Sequence, residues 1–259
     1  MQNNDTLSND FLEFVAIVSR LRKECPWDKE QTHASLRAPL IEEAHEAIEA
    51  IDNENFTELK KELGDLFLQI LFHADLAEEE GHFTLEQVIE TECAKLIYRH
   101  PHVFGNTEVR NADDVSRNWE QLKRKEPGRT SVLDGVPAAL PSLQRAGRIQ
   151  EKASKVGFDW KEPQSVLNKV REELDEFLSE TDQKRREEEF GDLLFSIVNF
   201  SRYVKIEPET ALRNATTKFE RRFREVEKTV ENSKKDWHEY DLDELDTIWN
   251  SVKSTERSQ

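Results

Sequence analysis

The chain of 259 residues carries 54 acidic against 37 basic side chains, for a formal charge of −17, and holds only 8 Gly and 8 Pro. Few breakers and 35% charged residues point to an all-α protein, while 36% hydrophobic residues suffice for bundle cores and exclude global disorder. The acid excess excludes a basic duplex-binding surface, and no apolar run nears the ~18 residues that a membrane span needs.

In chain order, the N-terminal MQNNDTLSND has neither the basic nor the apolar region of a secretory leader. Apolar residues at 11, 12, 14, 15, 17, 18 and 21 predict an amphipathic helix over 9–24, which Pro26 ends. Further helices are predicted from Ala34 or Leu40 to Ile51, over 57–80 before Gly81, over 85–99 before Pro101, and over 113–125. The connector EPGRTSVLDGVPAALP, with Pro127, Gly128, Gly135, Pro137 and Pro141, is the strongest domain boundary. A linking helix at 142–155 leads to helices near 163–180, 183–204, 208–232 and 241–252, with no convincing strand. The organisation expected is an N-terminal module at 1–126, a linker and connecting helix at 127–157, and a C-terminal module at 158–259. Cys25 and Cys93 lack the spacing of a zinc site or a disulfide framework, so a reduced, cytoplasmic setting is expected.

The two modules read as copies. IEEAHEAIEAIDNENFTELKKELGDLFLQILFH returns as REELDEFLSETDQKRREEEFGDLLFSIVNF. Glu42, Glu43 and Glu46 recur 130 residues on as Glu172, Glu173 and Glu176. Glu62, Gly64 and Asp65 recur after 127 as Glu189, Gly191 and Asp192, which reads as a second loop three residues shorter. Lys95 and Arg99 match Lys218 and Arg222, Trp119 matches Trp249, and PWD at 26–28 has a looser echo in FDW at 158–160.

Each module thus sets EExxE on one helix and ExxD on the next. Residues three apart share a helix face, and a short turn makes the helices antiparallel neighbours, so four carboxylates converge. The ExxD helices run on into nearly uncharged stretches, Leu66 to Phe72 and Leu193 to Phe200, which places them in the core. Clustered carboxylates there are unfavourable alone. Hard divalent cations remove the repulsion, and Mg²⁺ leaves positions open for phosphates. Gly64 and Gly191 are expected to permit close approach. A lone EExxE is an ordinary solvated face; its duplicated pairing with ExxD argues for a metal site. Cations nearby suggest a polyphosphate clamp: Lys169 one turn before Glu173, Arg185 four residues before Glu189, and Lys218 and Arg222 four apart. Trp249 is a candidate to stack on a base or to anchor the last helix.

EExxE followed by ExxD, twice, with PWD upstream, K-x3-R downstream and the RTSVLDGVP linker, closely resembles the MazG family of nucleoside triphosphate pyrophosphohydrolases over about residues 9–253. The resemblance implies hydrolysis of (d)NTP to (d)NMP and diphosphate, with broad base specificity, in nucleotide-pool housecleaning or stress-related nucleotide control. It also implies Mg²⁺, with Mn²⁺ as a substitute, and a homodimer of four-helix modules. The family's metal ligands fall on Glu173, Glu176, Glu189 and Asp192, and in the first module on Glu43, Glu46, Glu62 and Asp65. Glu172 is then a helper that orients water, and either it or Glu173 takes the proton. Lys218, Arg222 and Trp249 match nucleotide-contacting positions, with Lys169 and Arg185 as further candidates. Lys169 and Arg171 align with Pro39 and Ile41, so the C-terminal module is expected to be the main catalyst.

Two rivals stand beside this reading. Glu42-x-x-His45 has the form of a di-iron bundle motif, though its copy carries Asp175 in place of His. A non-enzymatic bundle, acting through a regulatory protein partner, is the other.

Overall fold

The computed structural model describes residues 4–124, 130–233 and 235–256, and these are helical with no strand. None of the described helices is long and apolar enough to cross a membrane. The chain divides into two compact units, Met1–Val115 and Ser116–Gln259.

The first unit holds α1 (Asn4–Glu24), α2 (Pro26–Lys29), α3 (Arg37–Asp52), α4 (Phe56–Glu79), α5 (Leu85–Arg99) and α6 (Pro101–Phe104), and α7 (Ala112–Arg124) crosses the division. Pro26 and Pro101 do end the preceding helices, but each also opens a further short one. Proline's fixed φ and missing N–H suit the first helical position as well as they break an interior one. α3 and α4 pair as a hairpin, and α1 and α5 lie against α4. The Asn55 side chain starts α4 by accepting the Glu58 N–H at 3.2 Å. Val18, Leu36, Leu71, Phe72 and Leu76 form the core, with Phe14, Phe67 and Leu68 packed on it. Each such side chain contributes about 1.5–3 kcal/mol when fully buried.

The second unit holds α8 (Ser142–Ser154), α9 (Pro163–Ser179), α10 (Gln183–Tyr203), α11 (Pro208–Ser233), a 3-10 turn (Trp237–Glu239) and α12 (Leu242–Glu256). α9 and α10 repeat the hairpin, α8 lies on α10, and α11 contacts α8 and α12. Asp182 caps α10 by accepting the Arg185 N–H at 3.0 Å.

Three expectations change. The hairpin turns, 53–55 and 180–182, are equally long, so the residues missing from the second copy come from the end of α9. A loss of three is close to one 3.6-residue turn, which lets the chain leave the helix on nearly the same side. The ExxD helices are not buried all round: Leu63 and Ile70 on α4 are 54% and 48% exposed, and Leu194 and Ile197 on α10 are 40% and 45% exposed. Packing against one hairpin partner and one further helix covers a stripe and leaves the opposite face open. Lastly, a Cβ at Gly64 or Gly191 would meet nothing within 4 Å, so neither glycine serves close approach within its unit.

Candidate active site

In the first unit, α3 and α4 bring oxygens of Glu43, Glu62 and Asp65 within 4.8 Å of one another. Glu62 is buried. Burial, then the neighbouring Glu46, pushes its carboxyl above the ordinary range, and burial, then Asp65, Glu46 and Glu42, does the same to Glu43. Glu46 therefore faces Glu62 from across the hairpin without joining the tightest triad.

The second unit repeats the arrangement with Glu173, Glu176 and Glu189, again within 4.8 Å of one another. Glu189 is raised by burial, then by Glu176, Asp192 and Glu173, which places Asp192 at the edge of the cluster. Here a cation is built in: Lys169 Nζ lies 2.6 Å from Glu173 Oε1 and 2.9 Å from Glu172 Oε1. Those hydrogen bonds hold the ammonium above its ordinary pKa. Pro39 occupies the aligned position in the first unit, so no ammonium enters that cluster from α3 at this point.

Both clusters offer hard oxygen donors only, crowded enough to shift one another's protonation, and this donor set fits Mg²⁺ better than a softer metal. His45 belongs to neither cluster among the described residues, which leaves the di-iron reading without its nitrogen ligand.

The second cluster opens on a cleft of about 590 Å³. Lys169, Glu173 and Asp192 line one part of it, and Leu133, Phe158, Trp160 and Phe195 line the rest. The FDW segment, read in the sequence only as an echo of PWD, builds this wall. Asp159 accepts Arg202 Nη2 at 2.7 Å, and the Tyr203 hydroxyl lies 2.6 Å from Asp159 and 2.7 Å from the Trp160 carbonyl. Although burial opposes it, these bonds hold the Asp159 carboxyl below the ordinary range. The first unit has a recess of about 370 Å³ elsewhere, at the turn end of its hairpin, lined by Glu46, Glu49, Glu58 and Glu62 with Asn53 and Asn55.

The remaining candidates lie elsewhere. Arg185 sits in the capped first turn of α10, one turn before Glu189. Lys218 is exposed on α11. Arg222 bonds Glu256 of α12 at 2.8 Å and stands 5.9 Å over the Trp249 ring, which packs 5.2 Å from Phe219. Trp249 thus joins α12 to α11, and Arg222 pairs across helices instead of with Glu220 or Glu225. None of Arg185, Lys218, Arg222 and Trp249 lines the cleft within this chain. The sequence reading did not single out Gln150, Phe158 or Phe195 as wall residues: Gln150 carries no repeat or spacing signal, Phe158 stood only in the FDW echo and Phe195 only in the repeated apolar stretch of the ExxD helix.

The family model described as the MazG nucleotide pyrophosphohydrolase domain matches residues 31–104 and again 161–227. A Thermotoga maritima protein named nucleoside triphosphate pyrophosphohydrolase/pyrophosphatase MazG is 47% identical, over 94% of this chain and 95% of its own. An Escherichia coli K12 protein named nucleoside triphosphate pyrophosphohydrolase is 42% identical, over 96% and 98%. The uncharacterized protein YabN of Bacillus subtilis is 44% identical over 97% of this chain but only 53% of its own.

Proposed function

The chain belongs to the MazG nucleotide pyrophosphohydrolase family, and from that premise we propose that it hydrolyses nucleoside triphosphates to monophosphate and diphosphate, chiefly in its second unit. The observation that carries this reading is Lys169 set between Glu172 and Glu173 where the carboxylate cluster meets the cleft. Such an enzyme would serve nucleotide-pool housecleaning or stress-related nucleotide control across bases.

Glu173, Glu176, Glu189 and Asp192 would hold Mg²⁺, with Glu43, Glu46, Glu62 and Asp65 as the equivalent set in the first unit. When bound, Mg²⁺ supplies neutralisation of the phosphate charge as the bond breaks, and Mn²⁺ meets the same oxygen donors. Lys169, released once the carboxylates have another cation, turns its ammonium to a phosphate oxygen. Glu172 is exposed beside the cluster and accepts the proton of the attacking water, with Glu173 the other candidate base. The water oxygen bonds to the α-phosphorus, the α–β bond breaks in line, and diphosphate leaves.

The half-exposed apolar face of α10 supports a homodimer, across which Lys218, Arg222 and Trp249 would contact nucleotide. Activity is tested by measuring monophosphate and diphosphate from a panel of (d)NTPs with Mg²⁺. Glu189→Ala/Asp192→Ala is expected to lose about 10²-fold or more in kcat, while Glu62→Ala/Asp65→Ala retains most of it. The reverse pattern would make the first unit the catalyst.

A further inference from the structure

We propose that the cleft beside the second carboxylate cluster binds the nucleobase, and that the Gln150 carbonyl reads it through a hydrogen-bond donor that every common base possesses. The inference rests on the triphosphate reading above and states how that site takes the base.

Gln150, on α8, lines the cleft and is only 6% exposed. Its Nε2 donates to the Phe195 carbonyl at 2.8 Å. That bond fixes the amide, because the flipped orientation would set two carbonyl oxygens against each other. The Oε1 is then a buried acceptor with no partner among the described residues. Buried polar groups are almost always matched, and an exception on a residue that lines a cleft marks a place for a ligand donor. Phe158, Trp160 and Phe195 make the walls flat and aromatic, suited to a heteroaromatic ring. The cleft reaches Glu173, Asp192 and Lys169 at its polar part, so a base held in it is joined to phosphates held there.

The RTSVLDGVP linker finds its use in the same pocket. Asp134 Oδ2 accepts the N–H groups of Thr130 at 2.6 Å and Ser131 at 2.7 Å, which closes the turn. The buried Lys152 of α8 donates to the carbonyls of Val132 and Asp134 at 3.2 and 3.1 Å, which pins that turn to the helix and sets Leu133 on the cleft wall. In the first unit the matching space is filled: Phe72, 127 residues before Asn199 of the cleft, is buried in the core.

An acceptor that cannot flip accepts from the exocyclic amino group of adenine or cytosine, and from the ring N–H of guanine, uracil or thymine. It therefore admits all of them and disfavours a base without a donor on that edge. Calorimetric titration of the full-length protein with Mg²⁺ tests this with two probes, α,β-methylene-dATP and its counterpart lacking the 6-amino group. The wild type is expected to bind the second about tenfold more weakly or worse, and Gln150→Leu to bind both alike. The same loss is expected between the dTTP analogue and its N3-methyl form. Equal affinities in the wild type, a comparison that needs no variant to fold, overturn the pocket, as does a difference that survives in Gln150→Leu. Diphosphate release from dATP is followed in parallel. Release with equal binding removes the base pocket and leaves the triphosphate reading standing, whereas neither binding nor release overturns both.

Discussion

Glu173 is buried with its carboxylate 2.6 Å from the Lys169 ammonium, so its charge depends on that one side chain until another cation arrives. Removing one partner of a fully buried pair costs about 3–5 kcal/mol. Lys169 is 35% exposed, and solvent screens its contribution, so Lys169→Met is expected to cost about 1–3 kcal/mol in chelator, read from the urea midpoint. Saturating Mg²⁺ should recover most of that loss, since the cation takes over the neutralisation. A variant whose midpoint ignores Mg²⁺ would argue that these carboxylates hold no cation. Gln150 is the complementary case, a neutral group whose orientation is set by a carbonyl on another helix.

Helix α4 carries a second electrostatic device away from the carboxylates. Its His73 stacks on His33, from the segment before α3, with the two Nδ1 atoms 2.7 Å apart and ring centroids 5.0 Å apart. One ring must donate and the other accept, so the pair favours at most one charge. Burial, then His33, holds His73 below its ordinary pKa, and its Nε2 is buried without a partner among the described residues. Glu80 lies 4.0 Å from His33 and 3.3 Å from His82, and forms no ion pair with His73 among the described residues. The unfolded chain therefore protonates His73 more readily than the folded one. Its contribution is present above about pH 6.5 and lost as the pH falls through the lower folded value. Calorimetry should show a midpoint that drops between about pH 7 and 5, with a shallower drop in His73→Phe; an unchanged slope would assign the effect to other groups. The long helices were legible because their apolar spacing is set by the covered stripe, and α5 begins and ends where Leu85 to Arg99 predict. α2 and α6 were not, because Pro26 and Pro101 serve equally as a stop and as a start. The carboxylates were legible through duplication, which no solvated face would repeat with its ExxD partner. Gln150 was hidden because its meaning comes from Phe195, 45 residues away, and the pairing of Arg222 with Glu256 was hidden because Glu256 lies on a helix that sequence spacing does not connect to it.

Duplication has produced two units with one motif and different interiors. The first fills its hairpin flank with Phe72, Leu71 and Val18, while the second leaves an apolar cleft there and adds Lys169 to its carboxylates. That asymmetry supports the proposal that the chemistry lies chiefly in the second unit. Both units leave apolar side chains of their ExxD helix uncovered. Leu194 and Ile197, three residues apart on one face of α10, are 40% and 45% exposed, and Phe190 one turn earlier is 48% exposed. A contiguous apolar stripe of this kind on a strongly acidic protein is favourable only when covered, and a self-complementary two-fold contact is the commonest way to cover it. Sedimentation at micromolar concentration should therefore give a dimer, and Leu194→Asp/Ile197→Asp a monomer, since two carboxylates cannot be buried in such a contact. If Lys218, Arg222 and Trp249 act across that contact, the monomeric variant should lose about tenfold or more in kcat/KM while still binding Mg²⁺. A monomeric wild type would leave the stripe without its second copy, and a fully active monomer would confine the nucleotide contacts to the cleft of a single chain.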